Sequence, residues 1–554
     1  MKGEQSPGIS TKVRGLFGGM AATVALVAGC AGGSGPNPPA CTVSSVTVSA
    51  NPAAINAGAT TTLQATVSAS STCNGGVTWS ATPAGGTLAP NGITATFTPS
   101  AAGTFAITAT STDDATRSGT ATITVAVAVP PCGQPSGVVT THSTNIATDE
   151  SWPGDGVTHL IPISIAINGT ATVTVQPCAI VALAQGVSIT VRDNARLVSA
   201  GTSSSRFVTF RRNVASGAWG TLRGFHPTTL IDLRFTTLQG GGAFGGLSDP
   251  TIAVAGVGYG SPVTPVLRIN NVTIQSSRGI GVHLDVNGGF TNDSQLLTVT
   301  GSGTRPIETT MMSLGTVPTG SYTGNGNDEI LIIGPTQNVF ADMTIQDLGV
   351  PVRIITGSMF VGPLAGATAP VTLTLKPGVV LKFPRLLAQA GARVTFGSNG
   401  NAPNNVVGVL NAIGTAAKPI VFTSGEAVPA PGDWVGLWLN TATGSRLDHV
   451  EISFAGAQTG IQSNNCRPIN TRDDAALLVG SFSTQYVPPS NLITNSRITN
   501  SAGHAISAMW LAGAFNSPDL TATNIFQSVT RCRQTYNGLT PPGTCPLNGG
   551  CTAP

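Results

Sequence analysis

Few residues of this 554-residue chain have the types and spacing that chemistry requires. His449 and Glu451 alternate on one predicted strand and would stand roughly 6–7 Å apart on its outer face. That is close enough for a shared hydrogen-bond network or for two contacts to one sugar. Asp328-Glu329 precedes another predicted strand and reads as a solvated turn. Trp438 alternates out of phase with Leu437 and Leu439, so it is expected to point outward, either as a sugar-stacking platform or packed laterally under a loop. Trp510 is a second residue of the same kind. Gly-x-Ser-x-Gly in a strand-to-helix setting, His-Glu-x-x-His and a phosphate-cradling glycine loop are all absent. The cysteines have neither zinc-site nor redox Cys-x-x-Cys spacing, so no metal and no cofactor is expected.

The elements that would position these residues follow from composition. Only 9% of residues are charged, while Gly (69) and Pro (38) are abundant. Long helices want Leu, Glu, Lys and Ala with few β-branched residues; this chain offers Thr, Val, Ala and Ser, which suit short strands between tight turns. A net charge of +3 is spread without a basic stripe. Nucleic acid is therefore not expected as a partner, because phosphate binding needs clustered Lys and Arg.

At the N-terminus, Lys2, Lys12 and Arg14 precede a short apolar run, Leu16 to Ala28. The run ends Val27-Ala28-Gly29-Cys30 and resembles a bacterial lipobox, with Val where Leu is commonest. The resemblance implies a signal peptide over 1–29, lipidation of Cys30, and a membrane partner reached through the lipid. Residue 31 is not Asp, which favours the outer membrane. The run is well short of the ~20 apolar residues that a transmembrane helix needs. The other eight cysteines fit an oxidising compartment. Proximity suggests the pairs Cys41–Cys73, Cys132–Cys178, Cys466–Cys532 and Cys545–Cys551, although many connectivities are possible.

A Gly/Pro-rich spacer over 30–41 leads into alternating segments over 42–127, among them "SVTVSA", "GVTWSA" and "SGTATITVAV". These segments resemble bacterial Ig-like domains of surface proteins, with Trp79 at the core position of the third strand. Residues 128–140 read as a linker.

Beyond it lies a long internal repeat. "ATVTVQPCAIVAL" (171–183) matches "VTLTLKPGVVLKF" (371–383), and "GAWGTLRG" (217–224) matches "GDWVGLWL" (432–439). "NVTIQSSRGIGV" (271–282) matches "NSRITNSAGHAI" (495–506). Motifs keep their order, which a tandem duplication explains. Trp219 and Trp434 recur at equivalent points and are assigned to packing. "VTLTLKPGVVLKF", "PGDWVGLWL" and "LDHVEISFAG" resemble a right-handed parallel β-helix unit of large bacterial surface proteins. The implied architecture is all-β: the Ig-like sandwich, a pectin-lyase-like β-helix in two units (141–340 and 341–531), and a Cys-rich tail (532–554).

That fold hosts polysaccharide lyases and hydrolases. Asp473-Asp474 and Gly503-His504-Ala505 resemble part of the polygalacturonase pattern, but the Asn-Thr-Asp and Arg-Ile-Lys that should flank them are missing. His504 aligns with Ile280 in the other copy, while His449 and Glu451 align with Arg234 and Thr236. A position held by His in one copy and Ile in the other reads as a tolerant one. The expectation is a non-enzymatic outer-membrane lipoprotein binding a glycan or protein through its β-helical surface. The alternative is an extracellular polysaccharide lyase or hydrolase using Asp473, Asp474 and His504.

Overall fold

A computed structural model describes residues 40–126, 131–213, 217–243, 249–334, 337–355, 357–364, 369–385, 393–396, 407–440, 443–458, 474–480, 488–508, 518–536 and 550–552. Cys30, Asp473 and Trp510 lie outside them. The protein is all-β, with a single short helix among the described residues, Met311–Leu314. The chain divides into two compact units, 1–129 and 130–554.

In the first unit two four-stranded sheets share one core. Leu63, Ala95 and Phe97 come from one sheet, and Phe105, Ile107, Ile123 and Val125 from the other. Alternation along Gly103–Ser111 puts every second residue inside, as a half-buried strand requires. Trp79 is half-buried against this core and donates its indole N–H to the Gly92 carbonyl at 3.0 Å. Cys41 and Cys73 are disulfide-bonded.

In the second unit the strands pair in parallel with strands one coil further along the chain. Thirteen of them form one sheet, from Ile165–Ile167 to Ile525–Val529. It crosses residue 340 without interruption, so the boundary expected there falls inside a continuous sheet. The other faces are a twelve-stranded sheet over the N-terminal half, then an eight-stranded and a five-stranded sheet. Inward Val, Leu, Ile and Phe side chains form one cluster from Ile146 to Val529. Burial of each such side chain is worth roughly 1.5–3 kcal/mol, which drives the stacking, while parallel ladders satisfy the backbone. Corners recur in register: Phe235, Asn271 and Leu296 all adopt left-handed backbone conformations at one corner of successive coils.

A second disulfide, Cys132–Cys178, ties the start of this unit to its early coils. Cys532 is also disulfide-bonded, whereas Cys466 and Cys545 lie outside the described residues. The strand Gly550–Thr552, which carries Cys551, pairs antiparallel with Gln534–Tyr536 and covers that edge of the eight-stranded sheet.

Candidate functional site

On the thirteen-stranded sheet, inward residues such as Leu222, Ile252, Val282 and Ile307 fix the register, leaving one outward side chain per rung. The outward row reads Arg223, Ala253, His283, Glu308 over four successive strands. Ala253 contributes only a methyl group, and the space beside it opens into a groove of about 320 Å³, walled also by Phe225, Asp249 and Asp285. The Arg223 guanidinium lies over the Phe225 ring at 4.5 Å. Burial pulls the Arg223 pKa down, against the opposing charge of Asp249.

Each acid named in an ion pair or hydrogen bond here has an identified partner. Glu308 lies 3.3 Å from His283 Nδ1 and 3.6 Å from Arg305. Asp285 accepts a 2.6 Å hydrogen bond from the Tyr259 hydroxyl, which pushes the Tyr259 pKa up to about 12. Three buried polar atoms in the segment leading to Glu308, Ser302 Oγ, Thr304 Oγ1 and Arg305 Nε, have no hydrogen-bond partner, and His283 Nδ1 meets Glu308 without hydrogen-bond geometry. Buried polar atoms left unsatisfied cost about 1–3 kcal/mol each. Sequence reasoning missed this groove, because its members are one residue per coil and about 25–30 positions apart.

Further along the same sheet a second groove, about 460 Å³, is lined by Glu451, Ser453, Arg497, Thr499 and Gln527. Glu451 stands beside Arg497 in register, and Arg497 donates to Gln527 Oε1 at 2.6 Å. His449 does not join it. The alternation expected for His449 and Glu451 fails because His449 is a corner residue with φ +50°, outside the strand Val450–Ser453. Its Nδ1 lies 3.0 Å from Asp448 Oδ1 instead.

Trp438 corrects a second expectation. It does alternate out of phase with the core, but it is only 4% exposed. Its indole N–H donates to the Gly480 carbonyl at 3.0 Å, and its strand neighbours are Thr395 and Leu478. A covered ring cannot stack on a sugar. Glu329 is a third correction: it is buried and paired with Lys382 and Arg353. Its neighbour Asp328 does sit in the expected turn, held below the usual carboxylate range by the backbone N–H groups of Asn325 and Gly324.

Asp474 and His504 come together with a residue not foreseen, Arg531. The Asp474 carboxylate is 3.9 Å from Arg531, and the Asp474 carbonyl accepts the His504 N–H at 2.8 Å. Both Asp474 and His504 are buried. His504 Nδ1 accepts the Cys532 N–H at 3.2 Å, so the neutral ring carries its proton on Nε2. Burial, and then the Arg531 charge, lower the His504 pKa to about 4.

The internal repeat relates this cluster to the first groove. The pairings Leu222↔Ile252, Pro250↔Ile280 and Val282↔Ile307 are matched by Leu437↔Leu477, Ala475↔His504 and Ile506↔Gln534. Asp474 is thus the counterpart of Asp249, Trp438 of Arg223, His504 of Ile280 and Thr535 of Glu308. The first set lies on the thirteen-stranded sheet and the second on the eight-stranded one. The second copy therefore continues the same core but is turned by one face.

A further polar cluster lies in the first coils. His142 Nε2 is 3.0 Å from His159 Nδ1, whose ring stacks on Trp152, and Trp152 donates to Glu150 at 2.9 Å. Among the described residues, Cys41, Cys73 and Asp113 have metal-compatible spacing. The two sulfurs are in a disulfide, so neither is a thiolate ligand. No protein-family model, no curated protein and no solved structure matches the chain.

Proposed function

We propose that this is an exported lipoprotein, anchored in the outer membrane through Cys30. In this reading an Ig-like module precedes a right-handed β-helix that binds a glycan without cleaving it. Parallel pairing of strands with strands further along the chain and a single shared core support the β-helix; two sheets around one core support the Ig-like module. The observation that supports the binding function is the row Arg223–His283–Glu308, which lines the groove beside Ala253. Sugar hydroxyls both donate and accept, so they suit a groove that mixes carboxylates with a guanidinium and an imidazole. Its mixture of signs favours a neutral or zwitterionic glycan over a polyanion.

The test is a glycan array on residues 36–554, read for retention and for released product. Retention lost in Glu308→Gln and Arg223→Ala, without product, is the expected result. Silence on every glycan would defeat the reading.

A second reading, an extracellular polysaccharide lyase or hydrolase, is favoured by the meeting of Asp474, His504 and Arg531. Unsaturated or new reducing-end products, abolished by Asp474→Asn, would establish it.

A further inference from the structure

The twelve-stranded sheet carries two parallel rows of outward side chains that neither mixed-charge groove uses. One is a run of hydroxyls, Thr209, Thr237, Thr273, Thr298 and Ser321, on five successive coils in unbroken register. The other occupies the adjoining corner: Phe207, Phe235, Asn271 and Leu296, one per coil. The corner row is held out by backbone conformation, since Phe235, Asn271 and Leu296 have φ values of +41°, +55° and +57°. Such values are unusual for bulky residues, and here they recur at one register position. Phe207 and Leu296 stay 38% and 55% exposed.

Between the rows runs a groove of about 560 Å³, and no charged side chain is among the residues that line it. Rungs of a sheet repeat at about 4.8 Å, so hydroxyls recur at that step along the coil axis, beside a corner row that is apolar at Phe207, Phe235 and Leu296 and polar at Asn271. A ligand for this surface must be neutral. It must also be elongated along the axis, with a hydroxyl edge and an apolar face repeating at about the length of one sugar unit. An added peptide strand does not fit, because strand addition needs a sheet edge, and this groove crosses the face of the sheet. An acyl chain would leave the hydroxyl row without partners.

We infer that this groove binds a linear neutral polysaccharide, with its sugar faces against Phe207, Phe235 and Leu296 and its hydroxyls on Thr237, Thr273 and Thr298. The site is separate from the groove around Glu308 and stands or falls without it.

The experiment is isothermal titration of residues 36–554 with cellohexaose, xylohexaose, mannohexaose and laminarihexaose, with a polygalacturonate hexamer as the charged control. At least one neutral hexamer binds, and its affinity does not change between low and high salt, as expected for an uncharged ligand. Thr273→Val with Thr298→Val keeps β-branched residues on the strands and weakens binding about tenfold. Leu296→Asn keeps a residue tolerant of the left-handed corner and also weakens it, while Lys418→Ala, outside both grooves, leaves it unchanged. Two results overturn the inference: no neutral hexamer binds, whether or not the hydroxyl row lowers the freezing point of water, or binding survives the threonine changes. Circular dichroism on each variant separates loss of the site from loss of the fold.

Discussion

The Asp249 carbonyl accepts the Ile280 N–H at 3.1 Å, and the Asp474 carbonyl accepts the His504 N–H at 2.8 Å. The two aspartates hold the same place in the two copies, on different faces of one stack. A duplication that preserved each strand's neighbours thus reused a surface while changing its chemistry. The first copy keeps Arg223 and Glu308 in an open groove. The second, with Trp438 and Thr535 in their places, buries its histidine.

That buried histidine predicts an acid response. The His504 pKa is about 4 in the folded chain, below the ~6.5 of an unfolded histidine. A base whose pKa is depressed by folding contributes stability that is present above pH 6.5 and lost as pH falls towards 4. His504→Ile places the residue of the equivalent copy there. At pH 7 it leaves the buried Cys532 N–H without its acceptor and costs about 1–3 kcal/mol. Denaturation midpoints measured from pH 7 to pH 4 should converge between the variant and the parent chain. A gap that is constant with pH would show that His504 does not titrate in this range.

The all-β class was legible in the sequence. Period-two segments and corner residues gave parallel stacking, and the recurrence of Trp219 and Trp434 correctly marked packing positions. Each donates its indole N–H to a backbone carbonyl at 2.8 Å, of Gln239 and Ser453 respectively. The candidate sites were much less legible. Alternation correctly placed Trp438 on the outer side of its strand, but it carries no information on what covers that side. For His449, alternation itself broke down, because a left-handed corner takes the residue out of the strand. The grooves escaped because their residues are joined by register between coils, and register is not a local property of sequence.

Trp434 and Trp438 should separate packing from recognition. Trp434 is fully buried and stacks on Phe383 at 4.4 Å between ring centroids. Trp434→Ala should cost about 3–5 kcal/mol, the usual range for a buried aromatic. Trp438→Ala should also destabilise by several kcal/mol while leaving glycan affinity unchanged in the folded fraction. Chemical denaturation reads the first quantity and titration the second. Loss of affinity at full stability would restore Trp438 to the binding surface.

The disulfide between Cys132 and Cys178 closes a separation of 46 residues. On the chain-entropy account, a loop of that length is worth about 4 kcal/mol. The bond holds the first coils, where the backbone N–H of Cys132 also donates to the Ser205 carbonyl at 2.7 Å. Cys132→Ser with Cys178→Ser should accelerate hydrogen exchange in Val139–Thr141 and Thr158–Ile161 more than in the strands beyond residue 370. Uniform acceleration would instead mean that the second unit opens as a single cooperative block.

Those first coils contain a proton arrangement that can be read atom by atom. The Pro153 carbonyl only accepts, so His159 donates to it from Nε2 at 2.8 Å, and His159 Nδ1 must be the acceptor of the His142 Nε2–H. Both rings are then neutral, and His142 Nδ1 faces Glu150 at 3.7 Å. Burial lowers the pKa of each ring. For His142 the neighbouring His159 lowers it further and Glu150 opposes the shift; for His159 the hydrogen bond to Pro153 opposes it. The stabilisation is therefore complete above pH 6.5 and fades as pH falls below it. Protonating His159 Nδ1 would set one N–H against another and break the chain, whereas protonating His142 would only strengthen its attraction to Glu150. Glu150→Gln should accordingly make the acid loss steeper by removing the one charge that favours protonated His142. His159→Gln should flatten it. Thermal midpoints between pH 7 and pH 5 decide the matter: a steeper fall in the His159 variant than in the Glu150 variant would reverse the proton assignment.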